Sequence, residues 1–289
     1  MKHFHCFVIL VFFFGLKFSE AQQIKSDSVY KKLEVPEVVV SATRSEQKVE
    51  NIPAPVTVIT AKEIQAAGFN RLNDVLAELN GAAVVDYFGS GLQMQGLDPA
   101  YTLIMIDNQP LIGRNGGTYD LSKIPVENIE RIEVVKGPSS ALYGNEALAG
   151  VVNIITKKPG EGVSTSTALN YGSNQTIQLS ENIGYSNKNF STMIFADGFH
   201  TAGYDLDKAS PYLSGGNNLN GTVQTKTNYN FNNKFSVSLD ARYYNEKVSN
   251  KDQFPDNNIL KNFDLTDYTT EFSVTPGITA HVNNNTSIS

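Results

Sequence analysis

Residues 131–156 read RIEVVKGPSSALYGNEALAGVVNIIT, and the reading of this stretch decides the fold. Ile132 to Val135 and Val151 to Ile155 are short, β-branched apolar runs, the pattern of strands buried on both faces. Gly137-Pro138 breaks the first run. Ser139 to Tyr143 is then expected to form a short helix, with Pro138 at its start and Gly144 just past its end. Gly150 lets the chain pass close to a neighbour before it re-enters the sheet. By pattern alone this is a strand–turn–strand of an α+β domain.

The order of residues says more than the pattern. E-V-V-K-G-P-S-S-A-L-Y-G, from Glu133 to Gly144, is followed by G-V-V-N-I-I-T-K-K-P, from Gly150 to Pro159. The run resembles the end of the plug domain of TonB-dependent outer-membrane receptors. Leu92-Gln93-Met94-Gln95-Gly96-Leu97 and Leu103 to Leu111, LIMIDNQPL, also look like plug segments, so the resemblance runs from about Glu37 to Pro159. In the family the position of Gln95 is commonly Arg, which leaves open the ion pair an arginine would make there.

The flanking elements fit a small α/β globule. Val56 to Thr60 alternates as a strand and leads into a helix, Ala61 to Ala67, closed by Gly68. Arg71 to Leu79 is expected as a second helix, since Leu72, Val75, Leu76 and Leu79 recur at helical spacing and give it one apolar face. Val84 to Phe88, Leu92 to Gln95 and Tyr101 to Ile106 read as strands, with Asp107-Asn108 as a turn. The plug domain is therefore expected over residues 51–162.

The N-terminus is an export signal. Phe7 to Leu16 is about half the apolar length a membrane helix needs, follows Lys2, and ends at Ser19-Glu20-Ala21. A signal peptide over 1–21 would be cleaved after Ala21. Cys6 lies inside it, so the mature segment has no cysteine for a disulfide, thiol catalysis or a cluster. Loss of Lys2, Lys17 and Glu20 takes the formal charge from −6 to −7, which argues against a nucleic-acid partner. Only His200 and His281 survive processing, and they are far apart, so a histidine metal centre is not expected.

Residues 22–50 are expected to be a flexible segment. Within it, Glu37, Val38, Val39, Val40, Ser41 and Ala42 follow Pro36. Read alone, this is an edge strand of the next domain. The resemblance implies a TonB box, the segment that a TonB-type periplasmic energy-transducing protein grips. The chemistry would be main-chain pairing, because a β-branched extended run can add itself to an exposed sheet edge.

Two polar, glycine-rich stretches, Tyr87 to Gly91 and Gly113 to Tyr119, read as surface loops. Family plugs raise such loops toward a small-molecule chelate ligand, and the resemblance makes Tyr87, Phe88, Arg114, Asn115 and Tyr119 the ligand-binding candidates. An arginine pairs with an anionic chelate, and aromatics stack on a planar one. Neither stretch has the spacing of a dinucleotide or phosphate loop.

After Gly162 the period changes to two. Val163, Thr165, Thr167, Leu169 and Tyr171 alternate with polar residues, as do Phe235, Val237, Leu239, Ala241 and Tyr243, and Tyr268, Thr270, Phe272 and Val274. Segments of about ten residues whose polar partners are Asn, Gln, Ser and charges are the signature of a transmembrane β-strand around a wet lumen. About seven such strands are expected over 163–289, as the N-terminal part of an antiparallel barrel that is incomplete here. Short connections are expected at Gly172 to Gln175, Ser186 to Asn189, Phe231 to Lys234 and Thr275 to Gly277. Long ones are expected near His200 to Asn220 and Asn245 to Asp267. Asp252, Asp256, Asp264 and Asp267 have no calcium-loop spacing and read as a solvated loop.

The fold class expected is an α+β plug followed by an antiparallel transmembrane β-barrel in the bacterial outer membrane. The resemblance implies import of a scarce metal chelate, a ferric siderophore ahead of cobalamin, haem or an oligosaccharide. A passive porin or adhesin is the rival from a different class, but it has no use for a folded domain and an extended box before the strands. No catalytic spacing, metal site or cofactor motif points to an enzyme.

Overall fold

The computed structural model describes residues 39–40, 47–48, 54–86, 89–207, 214–232, 234–256, 259–283 and 286–288. The expected signal peptide, Glu37, Val38, Ser41, Ala42, Tyr87 and Phe88 lie outside the described residues. Val39–Val40 (β1) pair antiparallel with Gln47–Lys48 (β2).

Val56–Thr60 (β3) leads directly into helix α1, Ala61–Ala67. Thr60 caps that helix, and Glu63 reaches back to the cap nitrogen at 2.7 Å, so two otherwise orphaned N–H groups are satisfied. These bonds hold the Glu63 carboxyl below its ordinary range. Helix α2 is Leu72–Ala77, shorter than the spacing predicts by a residue at the start and two at the end, although Leu79 is buried with Leu72, Val75 and Leu76 as expected.

Ala82–Asp86 (β4) and Ser90–Met94 (β5) form a hairpin of their own. Gln95 occupies the turn after it at φ 54°. Thr102–Ile106 (β6) and Gln109–Pro110 (β7) follow, then Ile129–Lys136 (β8), the single turn of helix α3 at Ser140–Tyr143, and Gly150–Thr156 (β9). The central sheet has the order β3-β8-β9-β6-β7, with β6 and β9 parallel.

The two apolar runs of residues 131–156 are thus adjacent central strands, which is why both are apolar on both faces. Gly150 makes the close approach its position suggested. A Cβ there would run into the Val135 carbonyl oxygen and Met94 Cε, at a φ of 152°. One side of the sheet carries the main core, built from Ile132, Val134, Val152 and Ile154 with Ile64, Leu72 and Leu76 from the helices. Glu133 and Asn153 are also fully buried in these strands. Arg131 Nη2 meets Glu133 at 2.8 Å, and Asn153 exchanges hydrogen bonds with Asn108, so neither is left unsatisfied.

The second part is a meander of seven described strands in consecutive order: β10 (Gly162–Gly172), β11 (Thr176–Ser186), β12 (Phe190–Thr201), β13 (Asn217–Asn232), β14 (Phe235–Asp256), β15 (Ile259–Asn283) and β16 (Thr286–Ile288). Every neighbouring pair is antiparallel. Its burial is inverted relative to a water-soluble sandwich. Gln178, Ser180, Asn182, Asp197, Asn220 and Thr222 are buried, whereas Leu169, Ile183, Ile194, Val223, Phe272 and Ile278 on the opposite face are exposed. Tyr229, Phe231 and Phe235 cluster near one end of the strands, with ring centroids 4.9 and 5.6 Å apart. An apolar outer band edged by aromatics matches an outer-membrane barrel wall.

Two expected connections are corrected. Asn245 to Asp267 is not a long loop: β14 and β15 stay paired from Asn245↔Thr270 out to Asp256↔Ile259. With 22 and 25 residues these strands are more than twice what a bilayer needs. Over residues 245–256 and 259–267 the sequence lacks the apolar alternation, while the ladder still pairs the backbone. Thr275 to Gly277 is not a turn either, but lies inside β15. Pro276 sits opposite Leu239, where β15 has no second neighbour among the described residues and a missing N–H is tolerated.

Candidate functional site

The two glycine-rich stretches come together on the plug. Asp120 Oδ1 accepts from Ser90 N at 3.1 Å, at the tip of the β4–β5 hairpin, and from Ser122 N at 3.0 Å. Gly89 lies against the Asp120 side chain and Gly91 against Thr118, contacts that leave no room for a Cβ at either glycine. The chain needs glycine there for close packing, beyond any need for a flexible loop.

Arg114 organises its own loop. Its Nη1 donates to the carbonyls of Ala100 (2.9 Å) and Gly117 (3.4 Å), and Nη2 donates to that of Thr102 (3.3 Å). Asn115 is exposed and closes a bridge with Thr118. Tyr119 is buried, and its hydroxyl lies between Glu271 Oε2 and Arg242 Nη1, both at 3.3 Å. The desolvation of this phenol pushes it up to about 12. Of the described candidates, Asn115 is exposed on its loop, Arg114 braces that loop and Tyr119 contacts the long sheet, while Tyr87 and Phe88 lie outside the described residues.

That contact belongs to a seam running along the inner face of the sheet. Six successive strands each touch the plug through polar groups. From β10, Asn170 donates to Glu127 at 3.2 Å, and from β11, Gln178 donates to Glu127 at 3.0 Å. From β12, Asp197 pairs with Arg71 at 2.9 Å, and from β13, Asn220 accepts from Arg71 at 3.1 Å. Lys226, also on β13, pairs with Asp107 at 2.8 Å. From β14, Arg242 Nη2 donates to the Lys123 carbonyl at 3.4 Å, and from β15, Glu271 pairs with Lys123 Nζ at 2.7 Å.

The Arg71 guanidinium also lies over the Phe199 ring, 4.5 Å from its centre. Fully buried ion pairs of this kind hold a geometry without adding much net stability, because desolvation offsets the attraction. A polar seam can therefore be taken apart at modest cost once water replaces each partner. A cleft of about 290 Å³ already opens between Ile106 to Ile112 and the inner faces of β14 and β15, lined in part by Asp107, Gln109, Asp240 and Glu271.

Tyr119→Phe removes two long hydrogen bonds from the seam and leaves the ring in place. The expected loss of plug stability is about 1 kcal/mol. It would be read as a lower denaturant midpoint of this domain in the full-length protein, and an unchanged midpoint would show the hydroxyl to be idle.

Sequence reasoning missed Arg71, Asp107, Lys123, Glu127, Asp197, Arg242 and Glu271. A partial signal existed for two of them: Arg242 and Glu271 sit in the polar phase of strands whose other phase is apolar, whereas Asp197 shares its phase with buried Met193 and Phe195 and had no such mark. No such rule marks their plug partners. Among the described residues, no group of three or more His, Cys, Asp or Glu side chains is placed to hold a metal ion.

A family model described as the TonB-dependent receptor plug domain matches residues 48–151. Among solved structures, a variant of the ferric enterobactin receptor of Pseudomonas aeruginosa, in complex with enterobactin, aligns with a TM-score of 0.64 and 18% identity over 83% of this chain and 40% of its own. The ferripyoverdine receptor of the P. aeruginosa outer membrane aligns at 0.60 and 20%, over 74% and 28%. The ferric-catecholate import receptor of E. coli aligns at 0.59 and 21%, over 72% and 29%. The chain spans less than half the length of each of these receptors.

Proposed function

We propose that this chain, which matches the TonB-dependent receptor plug over residues 48–151 and continues into seven described antiparallel strands, acts in the outer membrane to import a scarce metal chelate. The chelate is a ferric siderophore, and import proceeds by energy-coupled displacement of the plug. Residues 1–21 are the export signal, 22–50 carry the TonB box, 51–162 form the plug and 163–289 the wall. A TonB-type periplasmic protein pulls on Glu37 to Ala42, because the outer membrane holds no potential of its own to drive uphill transport.

The observation that carries this reading is the inverted sheet. Apolar side chains face outward and six strands present polar groups to a folded plug, so the wall is built to hold lipid on one side and a removable stopper on the other. Ligand contact is assigned to Tyr87, Phe88 and Asn115, while Arg114 braces the loop that carries Asn115. The siderophore class is supported by the neighbours named above, whose descriptions carry enterobactin, ferripyoverdine and ferric catecholate.

The test is growth of a strain deleted for the full-length gene. Supply of catecholate or hydroxamate ferric chelates under iron limitation is expected to support growth only when the gene is restored. A growth defect seen instead under cobalamin limitation would move the substrate to that class, and no defect under either would overturn the import of a chelate.

A further inference from the structure

We propose that Glu127 is a proton-operated latch between plug and wall: in its acid form it lets the plug seat firmly, and in its ionised form it loosens the seat. The inference rests on the plug lying within the wall and is independent of what is imported.

The geometry is that of two carboxylates sharing one donor. Glu127 lies in the plug between the 3₁₀ turn Leu121–Lys123 and β8. Its Oε2 accepts from Gln178 Nε2 at 3.0 Å, and the same nitrogen donates to Asp197 Oδ2 at 2.7 Å. The two acid groups are therefore within about 6 Å of each other, a distance at which like charges oppose joint ionisation.

The charged groups facing this point come from three places. Arg71, at the start of α2, is taken by Asp197 Oδ1 at 2.9 Å. Lys157, after β9, directs its Nζ to the Glu127 main-chain carbonyl at 2.6 Å and not to the carboxylate. Asp197 itself comes from β12, where Ser180 also donates to it at 2.7 Å. The strands β10 and β11 offer only the neutral amides of Asn170 and Gln178. One arginine is thus spent on one carboxylate, and the second carboxylate is touched by amides alone among the described contacts.

The electrostatics of the site agree with the geometry. Burial first, and the Asp197 charge second, push the Glu127 carboxyl up to about 7, against the pull of Arg71 and the Gln178 bond. Burial also lowers Lys157, which the Glu127 charge partly offsets. A released plug exposes Glu127 to water, where it titrates near its ordinary 4.5. The seated plug then holds the proton more tightly than the released one. Seating is strongest below the ordinary value and weakens as pH rises from there to about 7.

The experiment uses the full-length receptor in outer-membrane vesicles, with a spin-labelled cysteine at exposed Lys62 on α1. Urea titrations at pH 5.5 and 8.0 report when the plug becomes mobile. At a urea concentration near the midpoint, the ratio of mobile to seated plug is expected to be about ten- to thirtyfold higher at pH 8.0. Glu127→Gln should abolish that difference, and persistence of the full difference in this variant would overturn the latch.

Should Glu127→Gln fail to assemble, Gln178→Leu serves in its place. It removes the donor that favours ionised Glu127, so the pH midpoint of the transition should rise, and an unmoved midpoint would equally overturn the proposal. No ligand or periplasmic partner enters the assay. Its failure is therefore distinguishable from failure of the import reading, which the growth experiment tests separately.

Discussion

Arg71→Ala is expected to loosen the plug by about 3 kcal/mol, roughly a hundredfold in its seating equilibrium. The reason lies in what the substitution leaves behind. The Asp197 side chain is 0% exposed and would keep only the neutral donors of Gln178 and Ser180, with the Glu127 carboxylate close by. Asn220 Oδ1 would lose the donor that Arg71 supplies, and the Phe199 ring its cation. An unpaired buried charge is costly even where the pair itself adds little.

Two readouts apply. The urea midpoint of the plug in the intact receptor should fall, and cells producing the variant should become sensitive to bulky antibiotics that the outer membrane normally excludes. The double variant Arg71→Met with Asp197→Leu should recover most of the loss, because it removes both charges and refills the volume. A single variant as firmly seated as the parent would show that this pair does not hold the plug.

Val39→Pro carries the other large expected effect: energy-coupled uptake falls to the level of cells lacking the periplasmic transducer, while the chelate still binds at the cell surface. Val39–Val40 already stand as a short strand paired with Gln47–Lys48, so these two residues have an extended backbone suited to a ladder. A partner that adds this run to its own sheet edge depends on main-chain donors. Proline removes the N–H at residue 39 and cannot take an interior place in such a ladder. Val39→Ala keeps the N–H and should retain most of the uptake. The measurement is uptake of labelled iron on the chelate that restores growth, set beside surface binding of the same chelate in cells without energy. Full uptake by the proline variant would remove the box from Glu37 to Ala42.

The two parts of the molecule differ in how far their sequence reveals them, and the difference has a physical origin. Helix α1 runs from Ala61 to Ala67 as its pattern predicts, because its cap, Thr60, and its left-handed terminator, Gly68, are local features. The central strands β8 and β9 are legible for a similar reason: burial on both faces leaves β-branched runs interrupted only by one polar residue each, Glu133 and Asn153. The outer face of the wall is legible through its period of two. The far ends of β14 and β15 are not, since their sequence has no period of two while main-chain pairing alone extends the ladder.

The seam was hidden for a different reason. Arg71 and Asp197 are 126 positions apart, and Lys123 and Glu271 are 148 apart. Nothing at either end of such a pair specifies the other. Tyr119 looked like a ligand-stacking residue on a polar loop, and its burial against Arg242 and Glu271 depends on strands that come more than a hundred positions later. Glu127 carried no local mark at all.

By itself the amino-acid order determined a plug with its central strands and a wall whose outward face is apolar, because periodicity, caps and glycine positions are short-range properties of the backbone. Only the tertiary structure decided which charges meet across the seam, which loop residues are braces, and where two carboxylates share a donor. Those facts depend on the register between distant segments, and electrostatic pairing at a few ångströms has no signature along the chain.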